Sequence, residues 1–356
     1  MNRDTLAQIL DLARWAPSGD NTQPWRFEIV GDDRVAIHGF DTRNHVVYDF
    51  NGRPSQMAHG ALIETLRIAA TGFKHVIDWT IRAGCREDAP VYDVTFCNMP
   101  DLEPDPLFPY IEQRVVQRRP MRMRPLSSLQ RRSLEAAVGK DYSLRFFEGG
   151  LERLKVARLL WDSADIRLRS PEAYLVHREV IEWGVRYSKD RLPEEAVGVD
   201  PVTAKLMKWV MGSWERVQFF NRYLLGTVAP RIQLDFIPGF SCAAHILVQA
   251  RTAPSGLIDY VQAGIALQRL WLTATANDLY LQPEMTPVIF RWYARAEQKI
   301  STVEALNQKA NELTGSFESL ACAQKDDSLV FFCRVGASRM PHSRSIRKDL
   351  ADLWLS

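Results

Sequence analysis

The sequence is poor in cysteine, and its cysteines follow no spacing that pairs them. The five are odd in number and form no CxxC motif: Cys85, Cys97, Cys242, Cys322 and Cys333. Zinc sites and disulfide frameworks both need clustered or regularly spaced cysteines. The pattern therefore predicts no metal centre and no disulfide scaffold, but scattered buried thiols in a reducing compartment such as the cytoplasm.

Long apolar runs and a strong net charge are also absent. No stretch approaches the roughly 20 apolar residues that a membrane-spanning helix needs, and the charge-interrupted N-terminus is unlike a signal peptide. The 45 basic and 43 acidic residues give a formal net charge of +2. This balance argues against a nucleic-acid or membrane partner. A chain of 356 residues with 46% apolar residues has room for two domains.

Two helical segments look like versions of one another. GALIETLRIAATGF, residues 60–73, and GIALQRLWLTATANDLYL, residues 264–281, each start with glycine and carry apolar residues at three-to-four spacing. That spacing predicts helices buried on most of their circumference. A β-like run follows each, APVYDVTFCN and DSLVFFCRVG. Two related halves would explain the similarity, although buried helices resemble each other in general, and the pattern leaves both explanations open.

The middle of the chain differs in character. Residues 170–231 are dense in aromatics and predict helices separated by the loop DRLPEEAVGVDP. This insert is either a lid over a site or an additional helical layer, and we favour the lid. The proline-rich PDLEPDPLFPY, residues 100–110, predicts a stiff boundary. We therefore expect one domain at residues 1–105 and a second at residues 106–356 that carries the insert.

Arginines are concentrated in two short stretches. QRRPMRMRP contains Arg118, Arg119 and Arg122, and RMPHSRSIRKDL contains Arg344 and Arg347. Both lie beside predicted helix starts, and guanidinium groups there suit a phosphate. The alternative is solvated surface charge. A nucleic-acid interface is disfavoured because no aromatic residues alternate with the arginines.

The stretch RWAPSGDNTQPWRFEIV, residues 14–30, places a polar loop between a helix-like and a strand-like run. The amides of Asn21 and Gln23 can both donate and accept, so they can match the edge of a heterocycle. Ser18 and Gly19 allow close approach of the backbone. With a separate phosphate anchor, the loop describes a nucleotide-like ligand with a heterocyclic head.

Residues 16–25, APSGDNTQPW, resemble the P-S-S-x-N-x-Q-P-W loop of the nitroreductase family of FMN-binding proteins. RRPMR at 118–122 resembles the R-R-S-x-R anchor of that family, RSIR at 344–347 its basic tail, and residues 264–281 its central helix. The resemblance implies an α+β nitroreductase fold. The N-terminal half has the loop but no anchor, whereas the C-terminal half has anchor and tail but no loop. This resembles the tandem branch, in which two repeats form a pseudo-dimer, here with an inserted helical lid, one complete flavin site and one decayed site.

The resemblance also implies roles for individual residues. Arg118 and Arg344 would bind the FMN phosphate with help from Arg347, and Arg122 would lie near the N1/C2 edge of the flavin. The remaining cofactor-binding residues would come from the anchor, from the opening loop of the opposite half and from the turn near flavin N5: Arg119, Pro17, Ser18, Gly19, Asn21, Gln23, Gln282 and Pro283.

Two positions depart from the family pattern. Pro120 replaces the serine of the anchor, which removes a hydroxyl donor to the phosphate. Pro283 stands where a backbone N–H would meet flavin N5, and proline has no N–H. These departures put cofactor affinity and the ease of hydride transfer in question.

The leading expectation is an FMN-dependent oxidoreductase that takes electrons from NAD(P)H and reduces a small planar substrate. The alternatives are a flavin-sequestering or redox-sensing protein with little turnover, and a specialised biosynthetic flavin oxidase or dehydrogenase. No catalytic acid or base is assigned, although His177 and Tyr174 in the insert are candidates to face the flavin. A fused pseudo-dimer predicts a monomer, and the aromatics of the insert leave a homodimer open.

Overall fold

The predicted α+β class is confirmed in a computed structural model, which describes residues 1–323 and 328–355. Two four-stranded antiparallel sheets flank a central pair of long helices. The first unit contains α1 Arg3–Ala13, β1 Trp25–Gly31, β2 Arg34–Gly39, α2 Arg53–Thr71, β3 His75–Ile81 and β4 Val91–Asn98. Its strands lie in the order β1-β2-β4-β3.

The second unit repeats this plan with different loops. It contains α3 Ser128–Ala137, β5 Tyr142–Phe147, β6 Ala244–Ala250, α8 Leu257–Ala276, β7 Tyr280–Pro283 and β8 Leu329–Gly336. The strands lie in the order β5-β6-β8-β7. Each unit therefore has one helix, two strands, a long central helix and two further strands, joined in the same sheet order, as two tandem repeats require.

Extra elements interrupt the second repeat at two connections. Between β5 and β6 lies a helical insert, and the predicted 170–231 falls inside it. Its longer helices are α4 Gly150–Arg169, α5 Pro171–Val180, α6 Pro201–Val210 and α7 Trp214–Tyr223, followed by helical turns over residues 228–240. Between β7 and β8 lie α9 Thr286–Arg295 and α10 Glu304–Ala321. A two-residue strand of the insert, Tyr187–Ser188, pairs with Arg344–Ser345 of the C-terminal segment.

The two central helices form the middle of the core, where α2 crosses α8. Gly60 and Gly264 lie at the crossing, and a Cβ atom on either would nearly overlap a main-chain carbonyl of the opposite helix. On both sides, apolar side chains pack each helix against the sheet and the helices of its own unit. The interface between the repeats is therefore a contact between two buried helices.

The bounds of the two central helices differ from the prediction. Both begin earlier than residues 60 and 264, because Pro54 is accommodated in the first turn of α2 and Asp259 caps the start of α8. The second ends earlier than predicted, since Tyr280 and Leu281 belong to β7. The β-like runs match β4 and β8, except that Asp327 of the second lies outside the described residues.

In the described part of the chain, no helix combines the length and apolar character needed to cross a membrane.

Candidate functional site

The opening loop, Pro17–Gln23, links α1 to β1 and holds an unusual backbone. Asp20, Asn21 and Gln23 have φ values of 49°, 64° and 51°, in the left-handed region that non-glycine residues rarely adopt. The Ser18 hydroxyl accepts a hydrogen bond from the Gln23 N–H at 2.9 Å. Strained backbone of this kind is retained where surrounding contacts enforce it, and it is found preferentially at ligand sites.

The loop amides are held by distant parts of the chain. Asn21 Nδ2 donates to the carbonyls of Lys189 and Ile346, each at 3.1 Å. Gln23 Nε2 donates to the same Lys189 carbonyl at 2.9 Å, and its Oε1 accepts from the Lys348 N–H at 2.9 Å. These two side chains therefore join the loop to the insert and to the C-terminal segment, so their expected contacts with a flavin ring stay a prediction.

The C-terminal arginines gather beside the end of α1 with Arg114, which sequence reasoning missed. Arg347 donates through Nε to the Ala16 carbonyl at 3.0 Å, and Arg114 donates to the Trp15 carbonyl at 2.9 Å. Arg344 lies 4.8 Å from the centroid of the Trp15 ring. Burial lowers the pKa of Arg347 to about 9, because the charged form is poorly solvated there. The carbonyls that follow a helix end are natural partners for these cations.

Two of these guanidinium groups keep an unused donor. The Nε atoms of Arg114 and Arg344 are buried and have no hydrogen-bond partner among residues 1–323 and 328–355. None of the three arginines forms an ion pair with a carboxylate in those ranges. All three also donate to main-chain carbonyls, and the expected contacts of Arg344 and Arg347 with the FMN phosphate stay predictions.

The anchor residues are divided between an enclosed and an exposed environment. Arg119 and Arg122 are exposed, whereas Arg118 is enclosed and partly accessible, close enough to Asp20 for their charges to interact. Its side chain makes one hydrogen bond within the described chain, a long contact of 3.4 Å to the Ala196 carbonyl. Burial lowers the pKa of Arg118 to about 10, and Asp20 opposes this shift. A guanidinium group with one weak partner has donors available for an anion.

Beyond Arg118, a group of enclosed polar side chains lies close together between the first unit and the insert. Their side chains are surrounded by protein yet partly accessible, and they come from the opening loop, from the loop before α2, and from α4, α5 and the helical turns: Asp20, Tyr48, Arg167, His177 and Asp235. The Tyr48 hydroxyl lies 3.0 Å from His177 Nε2. Arg167 Nη2 donates to both carboxylate oxygens of Asp235, at 2.9 and 3.0 Å.

Ionisation in this group is strongly perturbed. Burial raises the pKa of Asp20, opposed by Arg118 and Arg167. Burial also raises the pKa of Asp235 to about 6, opposed by Arg167. The pKa of His177 falls to about 3 through burial and the nearby Arg167 charge. Clusters of perturbed groups in an enclosed space are typical of functional sites.

The turn predicted to face flavin N5 is fixed by a second, fully buried polar group. Glu284 Oε2 lies 2.8 Å from His245 Nδ1, and Glu284 Oε1 accepts from Arg334 at 2.6 Å. Arg334 also donates to the Arg118 carbonyl at 2.7 Å, which ties the turn to the anchor. Gln282 donates to the Pro283 carbonyl, and its buried Oε1 has no partner among the residues described. One free acceptor therefore remains at this turn.

Two further features, the side chain of Tyr174 and a cleft in the second unit, give no support to a flavin site. Tyr174 donates to the Met211 carbonyl at 3.0 Å and packs beside Trp214, so it takes part in the packing of the insert. A cleft of about 950 Å³ opens between β5, α4 and α10, away from the loop. Its walls carry both signs of charge, including Lys155 and Glu312.

Comparison with known proteins identifies the N-terminal part. Residues 1–89 match the model of the nitroreductase family. The resemblance inferred from the opening loop is thus confirmed for the segment that contains that loop and Tyr48. The nitroreductase-like match ends before the anchor and the tail, so the roles of Arg118, Arg344 and Arg347 stay predictions.

Solved structures give a distant likeness to nitroreductases. A nitroreductase with bound FMN from Bacteroides fragilis has 8% identity over 66% of this chain and 89% of its own, with a TM-score of 0.37. An FMN-dependent nitroreductase from Mycobacterium smegmatis, in complex with NADPH, has 13% identity over 68% and 94%, with a TM-score of 0.36. No curated protein matched the chain.

Proposed function

We propose that the protein is an FMN-dependent oxidoreductase of the nitroreductase type. The observation that carries the proposal is the position of Arg118, an enclosed guanidinium group with spare donors beside the family-matching loop. The loop and a guanidinium group that could bind a phosphate thus lie close together, although they are about 100 residues apart in the chain.

The residues around the loop fit the parts of FMN. Arg118 would hold the phosphate, since its side chain makes only one long hydrogen bond within the described chain. The free Oε1 of Gln282 would accept from an N–H of the flavin ring, but it does not replace the backbone N–H donor that Pro283 lacks. Bound FMN would supply two-electron chemistry, taking hydride from NAD(P)H and reducing a small planar acceptor.

A single chain is sufficient for this site. The first unit contributes the loop and Tyr48, while the second contributes the anchor, the tail and the insert. Because α2 and α8 already form the interface between the repeats, the site needs no residue from a second chain. The proposal therefore describes a monomeric pseudo-dimer.

The test starts from the visible spectrum of the purified protein supplied with FMN. The expected result is a bound flavin spectrum that bleaches when NADPH is added without oxygen. Arg118→Gln should weaken FMN binding at least 10-fold, because an anion then loses a charged, enclosed donor. Arg124→Gln is the matched control, since that nearby arginine is exposed and is not among the expected cofactor-binding residues. Absence of flavin binding in the unaltered protein would overturn the proposal.

A second candidate, flavin sequestration with little turnover, is favoured by one observation. The insert closes onto the site, through the Lys189 carbonyl on the loop amides and through His177 on Tyr48. A closed insert would keep nicotinamide away from the ring. Bleaching by NADPH within seconds would exclude sequestration, whereas a bound flavin that stays oxidised for hours would support it.

A further inference from the structure

Tyr48 and His177 meet across the boundary between the first unit and the insert. Tyr48 lies in the loop before α2, and His177 lies on α5. The Tyr48 hydroxyl is 3.0 Å from His177 Nε2, and the two rings stack with centroids 5.7 Å apart and an interplanar angle of 28°. Both side chains are enclosed but partly accessible, and Tyr48 lies close enough to Asp20 for their charges to interact.

The charges that act on this pair come from three elements. Arg167 of α4 acts on both residues, whereas Asp20 of the opening loop and Asp235 of the helical turns act on Tyr48. Burial raises the pKa of Tyr48 well above its ordinary value, opposed by Arg167. Burial, reinforced by Arg167, lowers the pKa of His177 to about 3. At neutral pH the pair is therefore a phenol and an uncharged imidazole.

An uncharged imidazole can orient the phenol for donation. With its proton on Nε2, His177 donates to the Tyr48 oxygen and leaves the Tyr48 O–H directed elsewhere. After the phenol loses its proton, the same N–H and the Arg167 charge stabilise the phenolate. Arg167 keeps this capacity because only Nη2 contacts Asp235 among the described partners.

We propose that Tyr48 is the proton donor to the substrate and that His177 is its positioning residue. This inference rests on the proposed function. The substrate gains a hydride, supplied from NAD(P)H through the cofactor, and its atom that receives the electron pair gains the Tyr48 proton. The Tyr48 O–H bond breaks, a new bond to hydrogen forms on the substrate, and water later returns a proton to the phenolate. The substrate class is a quinone or a carbonyl-conjugated alkene, both of which need one proton per hydride.

The experiment separates the two half-reactions by stopped flow. Bleaching of the flavin by NADPH measures the first, and re-oxidation by para-benzoquinone or 2-cyclohexenone measures the second. Tyr48→Phe should leave bleaching within 2-fold of the unaltered protein. It should slow re-oxidation by 2-cyclohexenone about 100-fold, the lower end of what general acid catalysis supplies, and abolish the solvent deuterium isotope effect on that step.

The positioning role of His177 is tested by two variants. His177→Gln keeps an N–H donor and should retain a substantial fraction of the re-oxidation rate, whereas His177→Leu should approach the Tyr48→Phe rate. Tyr293→Phe is the matched control, because its hydroxyl donates to the carbonyl of Val47, next to Tyr48, at 3.1 Å. It should change neither half-reaction.

The outcomes are distinct. An unaltered protein that binds no flavin overturns the proposed function, and the Tyr48 inference with it. An unaltered protein that bleaches but reduces neither acceptor overturns the substrate class and the inference alone. Re-oxidation of Tyr48→Phe at the full rate, or an equal loss in both half-reactions, would show that Tyr48 donates no proton. Each variant's flavin spectrum reports whether it has folded.

Discussion

Gly60 of α2 and Gly264 of α8 bring the two central helices into backbone contact. A Cβ atom on Gly60 would lie 1.9 Å from the Val261 carbonyl oxygen, and one on Gly264 would lie 2.0 Å from that of Met57. Each glycine thus faces the residue three positions before the other. This reciprocal contact is the signature of an approximate two-fold axis, as expected where two repeats pack like subunits of a dimer.

The polar contacts beside the crossing follow the same symmetry. Gln268 donates to Thr65 at 2.9 Å, and Arg269 donates to Glu64 at 2.8 Å. Gln268 lies four residues after Gly264, and its partner Thr65 lies five residues after Gly60. In the second pair the offsets are exchanged, because Arg269 lies five residues after Gly264 and Glu64 lies four residues after Gly60. The repeats therefore share a register as well as a strand order.

Gly60→Ala should destabilise the fold strongly. The added methyl group meets main-chain atoms, which cannot rotate away, so the helices must separate at the centre of the core. Overpacking of this kind costs about 3 kcal/mol. Gly315→Ala in α10 is the control, since nothing lies within 4 Å of a Cβ there and alanine favours helix. Urea unfolding measures both, and equal stabilities of the two variants would contradict the close contact.

Gln23→Glu should loosen the insert from the opening loop. The amide donates to the carbonyls of Asn21 and Lys189, so a carboxylate of the same shape would face two acceptors. We expect a loss of about 2 kcal/mol, the cost of repulsive or unmade buried hydrogen bonds. Limited proteolysis of the insert and urea unfolding measure the effect. Gln113→Glu, at an exposed position, is the isosteric control, and the idea fails if both variants resist protease equally.

His59 should make the protein sensitive to acid. Its Nε2 contacts the Pro24 carbonyl at 2.8 Å and its Nδ1 contacts Tyr92, and burial lowers its pKa to about 4. The unfolded chain therefore binds a proton more readily. The contribution of uncharged His59 to the free energy of unfolding is fully present above the unfolded pKa near 6.5. It is lost as the pH falls through 4, which lowers the free energy of unfolding by roughly 3 kcal/mol.

Urea unfolding between pH 7 and pH 4 would test this expectation. His59→Gln has no proton to gain, so its stability should fall less over the same range. His177, whose pKa is also lowered, stays in both proteins and contributes equally to both curves. Parallel curves for the variant and the unaltered protein would show that His59 is protonated without cost.

Local pattern predicted much of the framework. The opening loop was located between a helix and a strand because PSGDNTQPW combines turn-forming residues with amides. The central helices were recognised because their apolar residues recur at helical spacing over many turns. Complementary halves also followed from sequence, since a loop in one and an anchor in the other are visible without any structure.

Contacts between distant segments were not predictable in the same way. Tyr48 and His177 are 129 residues apart, and Arg167 and Asp235 are 68 apart. Neither pair has a spacing that signals contact, because the folding of the insert over the first unit decides both. For the same reason the partners of Asn21, carbonyls of residues 189 and 346, had no counterpart in the sequence pattern.

The buried pair of His245 and Glu284 should make the protein less stable as the pH rises, which is the opposite of the effect expected for His59. Burial alone would lower the pKa of His245, but Glu284 and Cys242 together outweigh it and raise the value to about 10. Both imidazole nitrogens face oxygen acceptors, Glu284 at 2.8 Å and the Gly239 carbonyl at 2.7 Å, as a doubly protonated ring requires. The stabilisation is therefore complete below the unfolded pKa near 6.5 and is lost as the pH rises through 10.

Substituting either partner distinguishes the contribution of the buried charge pair to stability from that of side-chain packing. Glu284→Gln leaves His245 and Arg334 without their carboxylate and should cost about 3–5 kcal/mol at pH 7. His245→Gln leaves Glu284 paired with Arg334, so it should cost less and should flatten the decline in stability between pH 7 and pH 10. Urea unfolding of both variants and of the double variant gives the coupling energy. A decline that persists unchanged in His245→Gln would mean that the ring is neutral and that Arg334 alone balances Glu284.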